Sequence, residues 1–396
     1  MSDMEYVGNA VYQRLHVNDH IRDLGMYIHI PFCQKRCHFC AFYLTPHRED
    51  RVQHFLSAFA QEAALYALDG TCHRFPVSTI YFGGGTPTAL EPVQLTTILN
   101  RIHRYFIVDP AAEITVEADP ATVSRSGLQT LRDAGVTRLS FGVQSLDKSE
   151  WQRLGRLGEM QTITRAMAYA NDVGFSNVSL DVMYGLPGQT LTSWQHSLEK
   201  ILELVPTHVS CYALTIEEGT KFSRDITAGR MNGHDADQET VMHEQAIAYL
   251  EQAGYHQYEV SNFAQSGWEC QHNLRYWSGL DYLGLGPSAQ SYVGGMRFGN
   301  IADLAGYIQC LERKQLPVDS LDTLSMADRV KERVIFGLRM NKGVPTQTFA
   351  ALNNDTAWQL TVDRLMETGL LSLEREHLKA TSLGRRYMDS VACQLL

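Results

Sequence analysis

The amino-acid sequence predicts an α/β protein, a partial (β/α)6 TIM-like barrel followed by a C-terminal α+β domain of winged-helix type. The first observation is that short β-rich runs alternate with longer helical patterns from about residue 26 to 260. The second is a helix, hairpin, helix pattern within residues 325–396. Repeated β-then-α units place parallel strands beneath crossover helices, which favours a barrel, with a doubly wound sheet as the alternative.

Six β-rich runs are the predicted barrel strands. They are MYIHIP (26–31), STIYFG (78–83), EITVEA (113–118), RLSFGV (138–143), NVSLDVMYG (177–185) and HVSCYA (208–213). Between them lie segments with helical periodicity, among them 54–68, 95–106 and 162–174. These patterns predict strands and helices in strict alternation.

Changes in composition divide the chain into four predicted regions. Residues 1–25 are an N-terminal extension, and residues 26–254 form the barrel. Residues 255–324 form an aromatic and glycine-rich extension; residues 255–300 within it show little helical period, so we expect extended segments and ordered loops there. Residues 325–396 form the winged-helix-like domain, which we interpret as a lid or partner surface, since its mixed local charge does not favour DNA binding.

Composition excludes several classes of protein. Forty-four acidic against 34 basic residues give a net charge of −10, which argues against general nucleic-acid or anionic-membrane binding. The N-terminus lacks the apolar core of a secretory signal, and no apolar stretch is long enough to span a membrane. We therefore expect a cytoplasmic protein, in which the eight cysteines are metal ligands or buried residues rather than disulfides.

Three cysteines follow the first predicted strand in a C-x3-C-x2-C pattern: Cys33, Cys37 and Cys40. Three thiolates can hold three irons of a [4Fe–4S] cluster and leave the fourth iron open to another ligand. Zinc is the alternative, and it would need a fourth ligand from His29, His38 or His47.

Further candidate residues lie where the next strands end. The run Gly83–Gly84–Gly85–Thr86–Pro87 follows the second strand, and glycines let a backbone approach a ligand closely. Glu117 and Gln144 close the third and fourth strands, and Asp181 lies within the fifth. The carboxyl ends of barrel strands are where functional residues collect, although each of these side chains could also be a cap or a satisfied core group.

The cysteine spacing is the signature of the radical S-adenosylmethionine (SAM) proteins, and Tyr27–Cys33 (YIHIPFC) resembles the subgroup of oxygen-independent coproporphyrinogen III dehydrogenase. The resemblance implies that SAM chelates the open iron and that the GGGTP segment contacts its amino group. Residues matching the family's SAM-binding positions are Gly84, Gly85, Thr86, Glu117, Gln144, Arg156 and Asp181, and more loosely Tyr27, Phe39 and Ala213. Arg156 suits the SAM carboxylate, and Glu117 and Asp181 suit ribose hydroxyls or the ammonium group. The dehydrogenase accommodates a second SAM, and Phe39, Gly85, Thr86 and Gln144 fall at that position too.

Two departures separate the chain from the dehydrogenase. Phe42 stands where that enzyme has a further cysteine, and too few residues precede the first strand to reproduce its long N-terminal segment. Instead, His272–Trp277 (HNLRYW) resembles the HNxxYW motif of the subgroup's haem chaperone branch. That resemblance implies haem binding with His272 as a haem contact, and Cys270 is a competing thiolate ligand.

The resemblance predicts a haem chaperone with a [4Fe–4S] cluster, SAM and haem as cofactors. Its partner would be a haem-accepting protein, a membrane-associated cytochrome complex, which would place the chaperone at the membrane surface peripherally; a homodimer is a further expectation. The second hypothesis is a radical SAM enzyme that oxidises a porphyrinogen or transfers a methyl group. A zinc-stabilised interaction module is the third.

Overall fold

The computed structural model describes residues 21–67, 75–156, 160–233 and 235–396. Six parallel strands stand side by side in chain order at the centre of a large sheet. They are β1 (Leu24–Ile30), β4 (Val77–Gly84), β5 (Val108–Ala118), β6 (Arg138–Gln144), β7 (Asn177–Tyr184) and β8 (His208–Ala213). The predicted partial barrel is confirmed, strand by strand.

Helices follow these strands and bury their apolar faces against the sheet. They are α1 (Glu49–Ala67), α2 (Pro92–Tyr105), α3 (Arg125–Asp133), α4 (Lys148–Leu154), α5 (Gln161–Asp172), α6 (Leu191–Glu203), α7 (Lys221–Thr227) and α8 (Ala236–Gln252). Side chains of Ser124, Asp147 and Thr190 accept hydrogen bonds from the first free backbone N–H groups of α3, α4 and α6. Buried residues on both faces of β6 and β7 match a parallel sheet covered by helices.

Strands from residues 255–324 extend the same sheet at both edges. Strand β10 (Asn262–Ala264) pairs antiparallel with β8, and β9 (His256–Glu259) pairs antiparallel with β10. At the opposite edge β11 (Tyr282–Leu285) lies parallel to β1. The antiparallel strands β12 (Gln290–Val293), β13 (Met296–Asn300) and β14 (Val318–Thr323) complete a twelve-stranded sheet.

Two helices also lie in this region, and the first of them falls within residues 255–300, where the sequence predicted extended segments and loops. Helix α9 (Gln271–Trp277) carries the HNxxYW motif, and α10 (Leu304–Glu312) packs on α1. For α9 the prediction was wrong, because seven residues give too little periodicity to reveal a helix. The side chains of the motif therefore project from about two turns of helix rather than from alternate faces of a strand.

The C-terminal region has a second apolar core that includes Val334, Trp358 and Val391. Its helices are α11 (Met326–Gly337), α12 (Thr356–Glu367), α13 (Ser382–Arg386) and α14 (Met388–Leu395), and its strands are β15 (Val344–Pro345), β16 (Leu371–Glu374) and β17 (His377–Ala380). The small sheet has the order β15–β17–β16. This arrangement confirms the predicted α+β domain. Within the described ranges, no helix combines the length and apolar character needed to cross a bilayer.

Candidate functional site

The cysteine loop lies at the carboxyl end of β1. Two short parallel strands, β2 (Phe32–Cys33) and β3 (Thr45–Pro46), pair at the point where the loop leaves and returns. The Thr45 N–H donates to the Pro31 carbonyl at 2.6 Å, and the His47 N–H donates to the Cys33 carbonyl at 3.1 Å. Both ends of the loop are thus anchored to the barrel, so the cysteines are held above it.

All three thiols of the loop line one cleft. Burial raises the pKa of Cys33 to about 11 and also raises the pKa of Cys40, so both are neutral thiols at neutral pH. Cys33 Sγ lies 3.2 Å from Thr86 Oγ1, and Arg156 Nη1 lies 3.9 Å from Cys37 Sγ. In the described parts of the chain these thiols do not converge on one point, as ligands of a single metal ion would. Binding iron would require their deprotonation.

The remaining cysteines that the structure describes lie outside this cleft. Cys211, Cys270 and Cys310 are buried, and Cys393 is exposed. Cys72, which the sequence also contains, lies outside the described residues. The loop cysteines are thus the three that face the cleft.

The glycine turn after β4 packs directly against the start of the cysteine loop. The Gly85 N–H donates to the Ile30 carbonyl at 2.8 Å, and the Thr86 N–H donates to the Phe32 carbonyl at 2.8 Å. A Cβ atom on Gly85 would lie 2.7 Å from the Phe32 carbonyl oxygen, too close for any side chain. Glycine is required at this position because the two backbones meet here.

Two half-buried carboxyl groups, Glu117 and Asp181, line the cleft. The Tyr81 hydroxyl donates to Glu117 Oε1 at 2.8 Å, and the Ser140 hydroxyl donates to Asp181 Oδ1 at 3.0 Å. Burial raises the pKa of both carboxyls, that of Glu117 to about 7, and the charge of Asp181 adds to the effect on Glu117. A ligand that brings hydroxyl donors or a positive charge would stabilise the ionised carboxylates.

Gln144 and Arg156 lie on the wall opposite the glycine turn. Gln144 has a left-handed φ of 68° at an irregularity in the β6–β7 pairing, and the Tyr212 hydroxyl donates to its Oε1 at 2.8 Å. Left-handed backbone at a non-glycine residue is costly and is often retained at functional sites. Arg156 Nη2 pairs with Asp119 Oδ2 at 3.0 Å, while its buried Nε has no partner among the described residues.

The structure brings most of the predicted residues into this cleft. Those that line it are Cys33, Cys37, Phe39, Cys40, Gly84, Gly85, Thr86, Glu117, Gln144, Arg156 and Asp181. Tyr27, Ala213 and His272 do not line it. The cleft also contains Asp119 and Tyr212, which the sequence analysis missed. Asp119 directly follows the strand that ends in Ala118, and Tyr212 precedes the predicted Ala213, so strand ends were the available signal.

His272, the predicted haem contact, is buried, and both of its ring nitrogens have polar neighbours. Its Nδ1 lies 2.8 Å from Thr79 Oγ1, and its Nε2 lies 2.8 Å from the Tyr276 hydroxyl. Burial lowers the pKa of the imidazole to about 3, so it is neutral. In this arrangement neither ring nitrogen is free to bind iron, and His272 instead fastens α9 to β4. Cys270 is equally enclosed, with its Sγ 3.5 Å from Glu113 Oε1.

Comparison with known proteins agrees with this geometry. Residues 27–201 match the family model of the radical SAM superfamily, and residues 324–387 match the HemN C-terminal domain. The heme chaperone HemW of Bacillus subtilis is 35% identical over 365 residues, which cover 91% of this chain and 95% of that protein. The chain belongs to the HemW family of radical SAM proteins.

Other members of the HemW family and a solved structure extend the comparison. The heme chaperone HemW of Mycobacterium tuberculosis strain H37Rv is 33% identical, and the match covers 94% of each chain. The structure of coproporphyrinogen III oxidase (HemN) from Escherichia coli superposes with a TM-score of 0.86 at 25% identity, covering 98% of this chain and 93% of that one. The radical SAM fold is therefore shared over almost the whole chain.

Membership of a radical SAM family implies a [4Fe–4S] cluster and SAM, and the residues present fit both groups. Three thiols open into the cleft, the donor set that three irons of such a cluster require. Gly84 and Gly85 line the cleft with backbone alone, so a ligand could approach their peptide groups closely. The half-buried Glu117 and Asp181 carboxyls and the Arg156 guanidinium present charges of both signs, which suits a zwitterionic ligand.

Proposed function

We propose that this protein is a haem chaperone, which binds a [4Fe–4S] cluster, SAM and haem and transfers the haem to an acceptor protein. The observation that carries the proposal is the similarity, at 33–35% identity over more than nine-tenths of the chain, to proteins named heme chaperone HemW. Phe42 supports it, because this exposed aromatic residue stands where the dehydrogenase subgroup has a fourth loop cysteine.

Within this proposal the residues that line the cleft have separate roles. Cys33, Cys37 and Cys40 hold the cluster, which when bound supplies one iron free of protein ligands and electrons for cleaving a sulfonium bond. Arg156 pairs with the SAM carboxylate, and the glycine turn at Gly84–Thr86 receives its amino group. Glu117 and Asp181 accept hydrogen bonds from ribose hydroxyls or the ammonium group, for which they are ionised. Phe39 and Gln144 also line the SAM cleft, whereas Tyr27 and Ala213 lie outside it.

The pH dependence of SAM binding tests the role of Glu117. Because its pKa in the free protein is raised to about 7 and binding favours the carboxylate, the affinity should fall as the pH drops below 7. The expected fall approaches about tenfold per pH unit. In Glu117→Gln this component should vanish, as measured by anaerobic calorimetry between pH 5.5 and 8.5.

The amino group of SAM contributes the same pH dependence to binding by both proteins. The difference between the two pH profiles therefore reports the effect of the Glu117 carboxyl. Parallel profiles for the wild type and Glu117→Gln would remove Glu117 from the SAM site.

The acceptor and location are part of the proposal. We propose a cytoplasmic protein that delivers haem to a membrane-associated cytochrome complex and acts peripherally at the membrane. A homodimer is a separate part of the proposal. The net charge of −10 supports recognition through protein contacts rather than attraction to an anionic bilayer. The enzyme hypothesis, porphyrinogen oxidation or methyl transfer, draws its support from the fold shared with coproporphyrinogen III oxidase.

Two assays on the anaerobically reconstituted protein separate the chaperone from the enzyme. Titration with haem should give a saturable change in the absorbance spectrum with a fixed stoichiometry. Incubation with SAM, a reductant and coproporphyrinogen III should give no substrate-dependent 5′-deoxyadenosine and no divinyl product. Substrate-dependent turnover to that product, without saturable haem binding, would contradict the proposal.

A further inference from the structure

A second cavity, of about 720 Å³, lies between the barrel and the C-terminal domain. This volume falls in the range of about 300–1,000 Å³ that is typical of small-molecule and cofactor sites. Its walls come from four separate parts of the chain: β1 and the cysteine loop, the segment from α9 to β13, α11, and Leu396. The cluster and SAM proposed above occupy a different cleft, so this cavity has no assigned ligand.

Aromatic side chains line much of the second cavity. The tyrosine and tryptophan residues among them are Tyr27, Tyr43, Tyr276, Trp277, Tyr282 and Tyr292. The Tyr276 and Tyr282 rings pack edge to face with centroids 4.5 Å apart. The buried indole N–H of Trp277 has no hydrogen-bond partner among the described residues. A wall of this kind favours a large flat aromatic ligand.

Three arginines, Arg297, Arg329 and Arg333, line the same cavity, together with one acidic side chain, Glu332. Arg297 Nη2 already pairs with Glu332 Oε2 at 2.5 Å. Arg329 and Arg333 lie one turn apart on α11, so they project from the same face of the helix. In the parts of the chain that the structure describes, neither forms an ion pair, and the formal charge of the lining side chains is +2.

The Arg329 and Arg333 side chains each pack against a glycine. A Cβ atom on Gly295 would lie 2.7 Å from Arg329 Nε, and one on Gly279 would lie 3.5 Å from Arg333 Cγ. Both glycines have positive φ, at 83° and 62°. Asp281 is half enclosed nearby, but its carboxyl accepts the Gly294 N–H at 2.6 Å and does not line the cavity. The Asp281 carboxyl interacts with both guanidinium groups electrostatically, but among the described residues no carboxylate forms an ion pair with either arginine.

We propose that this cavity is the haem site: it binds a planar tetrapyrrole with its ring on the aromatic wall and its two carboxylates on Arg329 and Arg333. The inference rests on the proposed function, and it places recognition of the carboxylates on the C-terminal domain. Guanidinium groups bind carboxylates through paired, charge-assisted hydrogen bonds. Phe42 lines both cavities, so the bound ring would lie beside the SAM cleft.

Comparing haem with its dimethyl ester tests the carboxylate contacts directly, because the ester keeps the ring and loses both charges. The reconstituted wild type should bind haem at least tenfold more tightly than the ester. In the double variant Arg329→Gln/Arg333→Gln, haem affinity should fall 10- to 100-fold, to the affinity of the ester, while ester binding stays unchanged. The matched control, Arg165→Gln/Arg313→Gln, removes two exposed arginines outside the cavity and should behave as the wild type.

A second variant tests the location without removing charge. Leu280 lines the cavity and is 42% exposed, so Leu280→Trp narrows the cavity from its rim and should weaken binding of haem and ester alike. Wild-type affinity for haem in both the double arginine variant and Leu280→Trp would overturn this site and leave the chaperone function standing. A wild type that binds neither ligand would overturn the chaperone proposal itself.

Discussion

Replacing Cys33, Cys37 or Cys40 by alanine is expected to abolish the iron–sulfur cluster. Each thiolate would hold one iron, and the structure places these three thiols around the same cleft. A cluster with two protein ligands and two open irons would not survive desalting. Anaerobic reconstitution followed by iron and sulfide analysis and visible absorbance should therefore show full loss of the cluster in each single variant.

The matched control is Cys393→Ala, which removes an exposed thiol far along the chain and should leave the cluster content unchanged. Cys72→Ala, whose position lies outside the described residues, should also leave it intact. Retention of the full cluster after loss of any one loop cysteine would contradict the assignment. So would a requirement for Cys72 equal to that for the other three, because the open iron would then not exist.

The second large effect is expected from Arg156→Ala, which should weaken SAM binding by about 30- to 1,000-fold. The Arg156 side chain is 8% exposed, so its proposed contact with the SAM carboxylate would lie almost out of water. Removing one partner of such a desolvated charge pair between protein and ligand costs about 2–4 kcal/mol in binding, which corresponds to that loss of affinity. Anaerobic calorimetry on the reconstituted protein gives the dissociation constant.

Two measurements accompany the Arg156 variant. Iron content must match the wild type, because Arg156 Nη1 also lies 3.9 Å from Cys37 Sγ. Arg165→Ala, on the exposed face of α5, should bind SAM as the wild type does. Unchanged SAM affinity in Arg156→Ala with the cluster intact would show that the SAM carboxylate is held elsewhere.

The barrel could be predicted from sequence because its signals are local. Each of the six β-rich runs overlaps its strand, with ends that differ by up to five residues, the largest difference being the early start of β5 at Val108. Site residues such as Glu117 and Gln144 were predictable for the same reason, since they follow directly from where a strand ends. The glycine turn was equally visible as three consecutive glycines.

Features that depend on distant contacts could not be predicted. Nothing in Tyr282–Leu285 indicates that this strand pairs with β1, some 250 residues earlier. Glu62 resembles a surface residue of α1, yet it is fully buried and accepts hydrogen bonds from Gly286, Asn300 and Tyr307. The second cavity likewise combines segments that only the folded chain brings together.

The HNxxYW motif illustrates both what a sequence motif can predict and what it cannot. The motif identified the branch of the family, and Tyr276 and Trp277 do line the second cavity. The haem contact assigned to His272 stays a prediction, and the hydrogen bonds of its two ring nitrogens to Thr79 and Tyr276 could not be read from the motif. A residue type suggests what a side chain can bind, but its neighbours decide whether it is free to do so.

The central claim is that three cysteines hold a cluster whose fourth iron accepts SAM. Mössbauer spectroscopy of the ⁵⁷Fe-reconstituted protein, recorded with and without SAM, tests it most directly. We predict that the spectrum of one iron in four changes when SAM is added, while the other three keep their thiolate environment. Four equivalent thiolate-ligated irons, unaffected by SAM, would contradict the claim.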